Sequence, residues 1–236
     1  MDARTGSVPE QAGINFRLAL AFPFEDKNWF GKILIPALFQ CIPLFGLLAA
    51  TGWALEICRR MVRKEARELP VLKFRRDLAG GLRVWGVTFL FGMPVWLWLG
   101  AGGLLSVPLW HANNRTATGS FDALWWGVEC GALLIALAAA MGAQAAVGRL
   151  AETGSFRAAF QLREVVSILR SAPVVYLQVV LAWFPLGLLA LSGIAVCGVG
   201  AFFTTAYALA AGFHLSGQAQ ALTASRRLPP AAPPAA

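Results

Sequence analysis

The chain has 236 residues, 58% of them hydrophobic and only 14% charged, with a formal net charge of +8. A soluble domain is about a quarter charged, so this composition points away from a water-soluble globule and towards a protein whose solvent is mostly lipid. Basic charge of this size raises nucleic acid as a partner, but nine of the 20 basic residues crowd between Arg59 and Arg83 beside apolar runs. That is how cytoplasmic membrane flanks look, and no nucleic-acid partner is expected.

Met1 to Gly13 is polar and carries Pro9 and Gly13, and no secretory signal is expected there. Ile14, Leu18, Ala21 and Phe22 fall at helical spacing, so Ile14–Phe24 reads as a short amphipathic surface helix broken by Pro23. Trp29 and Phe30 follow, at headgroup level. Ile33 to Ile57 is the first long apolar run, interrupted by Pro36, Pro43, Gly46 and Gly52. Arg59 to Glu68 is strongly helix-forming and is closed by Leu69-Pro70. The second run, Val84 to Trp110, is long enough to span with tilt, and Pro94 and Pro108 are candidate kinks. The third run, Ala123 to Val147, opens on Trp125-Trp126 and contains Glu129. Thr153-Gly154-Ser155 and the spacing of Phe156, Phe160, Val166 and Leu169 predict a capped surface helix over 155–170. Val174 to Leu215 is 42 almost wholly apolar residues. As one helix it would measure ~63 Å against a hydrocarbon core of ~30 Å, so it predicts two antiparallel spans with a turn near Ser192-Gly193.

These elements predict an all-α, polytopic transmembrane bundle of four or five spans plus amphipathic surface helices. Three segments result: a polar arm and interfacial helix (1–32), a transmembrane domain (33–221), and a disordered Pro/Ala tail (222–236). The flank 56–83 has nine basic residues, 148–173 has four, the tail two and 111–122 only one. The positive-inside rule then puts the first two flanks and the C-terminus in the cytoplasm. The first run decides the side of the N-terminus: it either spans, or bends at Pro43 and re-enters. The two prolines favour the broken form. Irregular backbone at membrane depth is tolerated where protein shields it or it lines a cavity.

Glu129 is the one ionisable residue well inside an apolar run, which makes it a candidate intramembrane site. Gln144 and Gln178 are the polar partners put forward with it, and Gln40, Thr204 and Thr205 are further candidate neighbours. The competing reading is a structural acid that snorkels to the outer interface. No second acid or adjacent base supports acid–base catalysis. HExxH, CxxCH, P-loop and GxSxG signatures are missing too. No catalytic residue, metal or cofactor is therefore expected. Cys41, Cys58, Cys130 and Cys197 form no CxxC pair and read as small packing residues. His111 and His214 lie at opposite ends of the topology and are not expected to share a metal. Arg59, Arg63 and Arg67 share one predicted helical face, with Arg60 and Lys64 beside it, and are candidate contacts for anionic lipid headgroups. Small residues at four-residue spacing (Ala132, Ala136, Ala140; Ala206, Ala210) permit close helix packing, inside one protomer or against a membrane-protein partner or second copy. Asn114-Arg115-Thr116 matches the glycosylation sequon, a motif common by chance.

The order of several short motifs resembles an uncharacterised family of prokaryotic membrane proteins, domain of unknown function 4013. Its "P…D…W" segment is matched by Pro23, Asp26 and Trp29, and its Gly-aromatic pair, basic residues and "LP" by Gly52, Trp53, Arg59, Arg60 and Leu69-Pro70. Gly81-Leu82 opens the next span, and Gly154-Ser155-Phe156-Arg157-Ala158-Ala159-Phe160 matches a later stretch. The acidic-aromatic residues expected after "LP" are replaced by Val71, Leu72 and Lys73. The resemblance covers roughly Phe22 to Leu177. It implies a multi-pass protein of a bacterial or archaeal inner membrane, and no activity. The expected role is a non-enzymatic accessory or scaffold subunit. The alternative is a small transporter or lipid-handling protein with a cavity near the first run and Glu129.

Overall fold

A computed structural model describes residues 13–65, 68–113, 118–195 and 198–227, the side chains of 106–113, 118–124 and 227 excepted. The described residues form helices and turns, with no strand among them. In chain order the helices are α1 (Phe16–Ala21), α2 (Trp29–Phe39), α3 (Phe45–Val62), α4 (Phe74–Asn113), α5 (Thr118–Thr153), α6 (Phe156–Ala159), α7 (Leu162–Ser171), α8 (Pro173–Ser192) and α9 (Val199–Arg227). Short 3-10 turns at Phe22–Glu25 and Gly193–Ala195 extend α1 and α8.

Four stretches are long and apolar enough to cross a membrane: Phe74–Leu105, Trp125–Thr153, Pro173–Ala195 and Val199–Arg226. The turn after Ser192 falls where the length argument requires it. α4 runs unbroken through Gly80-Gly81 and Pro94. At 40 residues it would be ~60 Å long, so it begins well before the apolar run read from sequence.

The first apolar run takes the broken form. α2 has 11 residues, about 16 Å of helix, too short to span. α3 has 18 residues but carries Glu56, Arg59 and Arg60 in its second half. The break falls at Gln40–Leu44. Leu44 has φ 65° and ψ −59°, and the Phe45 N–H donates to the Pro43 carbonyl at 2.7 Å. That is a γ-turn of the rare, strained positive-φ kind. Gly46 is required just beyond it, because a Cβ there would sit 1.7 Å from the Phe39 carbonyl oxygen.

The helix expected over 59–68 stops early. α3 ends at Val62, and Lys64 turns the chain with φ 54°, the left-handed position that ends many helices. Arg67 lies outside the described residues, as do the sequon residues 114–116, Cys197 and the tail from 228. The capping expected of Thr153-Gly154-Ser155 is also different. Gly154, at φ 69°, closes α5 by donating to the Leu150 carbonyl, and the Ser155 side chain makes no cap bond to α6. The surface helix after it is two pieces, α6 and α7, separated at Phe160–Gln161.

α9 is the central helix, and every residue from Ala210 to Gln220 is buried. Its small residues admit close neighbours. The Trp183 ring of α8 covers Gly212, Gly217 meets Met61 and Cys58 of α3, and Gln220 lies on Gly148 of α5. α8 runs antiparallel to α9, while α3 and α5 run parallel to it. α4 runs antiparallel to α5, with Phe91 against Gly142, Trp98 against Gly131 and Gly102 against Val128. The small-residue faces of α9 thus pack inside the protomer. Contacts of Arg83 with Gly154, of Arg226 with Ser171 and of Arg149 with Gln161 gather the basic flanks at one end of the bundle.

Candidate functional site

Glu129 does not enter the bundle interior. Val128 faces α4, where its carbonyl accepts from Trp98 Nε1 at 2.9 Å, and Glu129, one residue and about 100° further round, is exposed. Gln144 lies 15 residues along the same helix, ~22 Å away, where its Oε1 accepts from Ser216 at 2.7 Å. Gln178 is half-buried on α8. Gln40 donates to the Phe202 carbonyl at 3.2 Å and ties α2 to α9. Thr204 returns its hydroxyl to the carbonyls of Ala190, Gly200 and Ala201. The trio of Glu129, Gln144 and Gln178 is therefore not one site.

A different polar row sits in α9. His214, Ser216, Gln218, Gln220 and Thr223 are all buried. Gln218 pairs reciprocally with the Asn15 backbone, accepting from its N–H at 2.7 Å and donating to its carbonyl at 3.2 Å. The Gln218 amide lies 3.0 Å from His214 Nδ1, and the His214 ring stacks on Phe22 with centroids 4.3 Å apart. Gln220 accepts from the Tyr176 hydroxyl at 3.0 Å and donates to Glu152 at 2.8 Å. The N-terminal segment is thereby strapped along α9, with Tyr207 donating to the Leu20 carbonyl as a further tie. A charge-based reading misses this row, because no member is formally charged. The signal was the His-x-Ser-x-Gln-x-Gln spacing in a segment otherwise of Ala, Gly and Leu.

The motif residues converge on one joint. Asp26 is buried and accepts from Lys32 Nζ at 2.7 Å, the Asn28 N–H at 2.8 Å and the Leu69 N–H at 2.9 Å. Burial pushes its carboxyl up, but Lys32 and the two backbone donors outweigh this and hold it below its ordinary value. The Trp53 indole donates to the Pro70 carbonyl at 2.7 Å. Lys32 also lies 3.9 Å from Glu68, so the start of α2 meets the chain just after α3. Gly52 lets α3 press on α4, since a Cβ there would meet the Asp77 carbonyl oxygen at 1.7 Å. Asp77 is buried, accepts from the Lys73 N–H and from Arg76 Nε at 2.7 Å, and through Arg76 reaches Glu56 at 3.8 Å.

This joint changes the expected headgroup surface. Arg59 is held 3.5 Å from Glu56, and Arg60 turns back to the Glu68 carbonyl at 3.1 Å. Arg63, 3.7 Å from Glu65, and Lys64 remain exposed. Arg63 does not continue a helical face from Arg59, because α3 ends at Val62.

Cys58 is buried, whereas Cys41 and Cys130 are exposed. Among the described residues no three His, Cys, Asp or Glu side chains gather as metal ligands would. A groove of about 410 Å³ opens between α4, α5 and the α6–α7 break, lined by Leu90, Phe91, Pro94, Ile135, Ala138, Ala139, Phe160 and Leu162. Neither the first run nor Glu129 contributes to it.

Four helices long and apolar enough to span, closely packed on one another, make this a multi-pass α-helical membrane protein. The chain belongs to the DUF4013 family, described as a protein of unknown function, whose sequence profile matches residues 35–219, well over half its length. The match starts after Pro23, Asp26 and Trp29 and extends through α8 into α9, further than the motif order alone indicated. No curated protein and no solved structure matches the chain.

Proposed function

We propose that the protein is a non-enzymatic accessory or scaffold subunit of an assembly in a prokaryotic inner membrane. In this reading its basic end and C-terminus face the cytoplasm and the anionic headgroups there. One observation carries the reading: several buried polar side chains are spent on fixed joints between elements. Asp26 joins α2 to the loop after α3, Gln218 joins the N-terminus to α9, and Gln220 joins α8, α9 and α5. A transporter needs polar groups that face a path and exchange partners, and a bundle locked in this way is suited to holding a shape that others bind. Glu129, the anchor of the transporter alternative, lies on the outer face away from these joints.

The test is to solubilise native membranes in a mild detergent and purify the full chain, then identify stoichiometric, co-fractionating proteins by mass spectrometry and cross-linking. A defined protein partner is expected. Glu129→Gln should leave solute flux into proteoliposomes unchanged. A partnerless protein that moves a solute, with flux lost in Glu129→Gln, would overturn the reading.

A further inference from the structure

We propose that the groove between α4 and α5 is a binding site for one anionic phospholipid, with an acyl chain in the groove and the phosphate at an arginine rim above it. The groove is continuous with the basic end of the bundle along one face of α4. Residues 83, 86, 90, 91 and 94 recur at three- and four-residue spacing and so share that face. At the top, Arg83 reaches the Gly154 carbonyl at 3.4 Å. One turn lower, Gly86 lies under the Phe156 ring, where a Cβ would be 3.3 Å from the ring. Phe156 meets Phe160 edge-on at 4.8 Å, and Phe160 stacks on Phe91 at 6.4 Å, where the groove begins. Below this aromatic step the lining is Leu90, Pro94, Ile135, Ala138 and Ala139, which offers an apolar chain no polar partner.

Size and charge both select the occupant. A volume of about 410 Å³ is in the range of sites that hold small organic ligands. The small Ala138 and Ala139 side chains leave room that larger residues would fill. The elements around this end of the groove carry three exposed arginines, Arg83 on α4, Arg157 in α6 and Arg163 on α7 beside the lining residue Leu162. Two acids lie near them. Glu152 is engaged by Arg149 at 3.8 Å and by Gln220 at 2.8 Å, and Glu164 is half-buried at the start of α7. Arg83 spends one of its several N–H donors on Gly154 and keeps others for a phosphate. The rim is therefore net positive, and an apolar chain descending from a cationic rim is the complement of an anionic phospholipid. A zwitterionic lipid would fill the groove equally well but gain less at the rim. A second copy of this chain would bring its own arginines against these three.

The test uses the full-length protein in mild detergent. It is offered phosphatidylglycerol or phosphatidylcholine of the same acyl composition, each with a photoreactive group in one chain. The expected result is preferential retention of phosphatidylglycerol by native mass spectrometry, with cross-links concentrated on Phe91, Pro94, Ile135 and Ala139. Replacing the exposed rim (Arg83→Gln, Arg157→Gln and Arg163→Gln together) should cut the preference roughly tenfold or more. Ala139→Trp should abolish groove cross-links while leaving those to lipid-facing Leu97 and Phe184. Equal binding of the two lipids by the unaltered protein would overturn the proposal. So would cross-links spread evenly to Leu97 and Phe184, or dimer cross-links through the groove. The rim variant changes only exposed side chains, so it decides the question even if Ala139→Trp fails to fold.

Discussion

α4 and α9 are both long helices with extended charge-free runs, yet half of the apolar window of α9 is buried against protein and only 11% of that of α4. Hydropathy does not separate them; side-chain size and hydrogen-bonding capacity do. α4 presents Leu82, Phe89, Trp96, Leu97 and Leu104 outward, all exposed. α9 offers Ala206, Ala208, Ala210, Ala211 and Gly212, and below them the buried amides and hydroxyls of Ser216, Gln218, Gln220 and Thr223. In lipid, apolar surface gains nothing by turning inward. Close approach and polar pairing are what draw a helix to the centre.

The comparison breaks most sharply within α4 itself, whose first turns behave like α9. Gly52→Ala drives a Cβ into the Asp77 backbone, and should cost about 3 kcal/mol, the upper part of the overpacking range, because backbone cannot rotate away. Gly100→Ala, with nothing within 4 Å, should be neutral or stabilise by up to about 1 kcal/mol through helix propensity. Melting of the two variants in detergent checks the pair, and equal melting temperatures would remove the distinction.

Next comes Asp26→Ala, which strands Lys32 and the Leu69 N–H and should destabilise by about 3 kcal/mol. Its pH dependence has a definite sign. A carboxyl held below its ordinary value stabilises the fold fully above the unfolded pKa of ~3.9 and loses that contribution as pH falls through the lower, folded value. The gap between wild type and Asp26→Ala should thus be constant from neutral pH down to about 5 and close in more acidic buffer. A gap that widens on acidification would contradict the joint.

Gln220→Leu keeps the volume of the α9 core but removes the bonds to Tyr176 and Glu152. It should cost about 1 kcal/mol, as interhelical hydrogen bonds in membranes do. Smallest of all, Leu104→Ala on the exposed side of α4 should lie within about 0.5 kcal/mol of wild type. A larger loss at Leu104 than at Gln220 would reverse the ranking of the two helices.

Much of the architecture was legible in the sequence: the charge-free length of Val174–Leu215 required two spans with a turn near Ser192-Gly193, and the apolar runs together predicted four or five. The broken first run was one of two forms left open and the one the two prolines favoured, although the strained residue is Leu44, and no composition rule marks a leucine for a positive φ. The early end of α3 was hidden because Arg, Lys and Glu favour helix, while the buried Asp26–Leu69 contact pulls the chain back to α2. Two readings of Glu129 stayed open, because position along an apolar run says how deep a residue lies and not which way it faces. Asp26 was legible only as part of the family motif and Asp77 not at all, and the tertiary contacts reveal both as the buried acids of the joint.

The strap between Asn15 and Gln218 joins positions 203 residues apart. The helix at the centre of the bundle is thus delivered by the ribosome after the other described helices. α3, α4 and α5 are sequence neighbours and can pair during synthesis, but α1 and α2 must wait at the membrane for their partner until α9 has emerged. Any nascent chain that stops before Val199 leaves α1 and α2 without the helix they are tied to. Such a product offers quality-control proteases an unassembled N-terminal segment, so loss of α9 should remove the whole protein from the membrane.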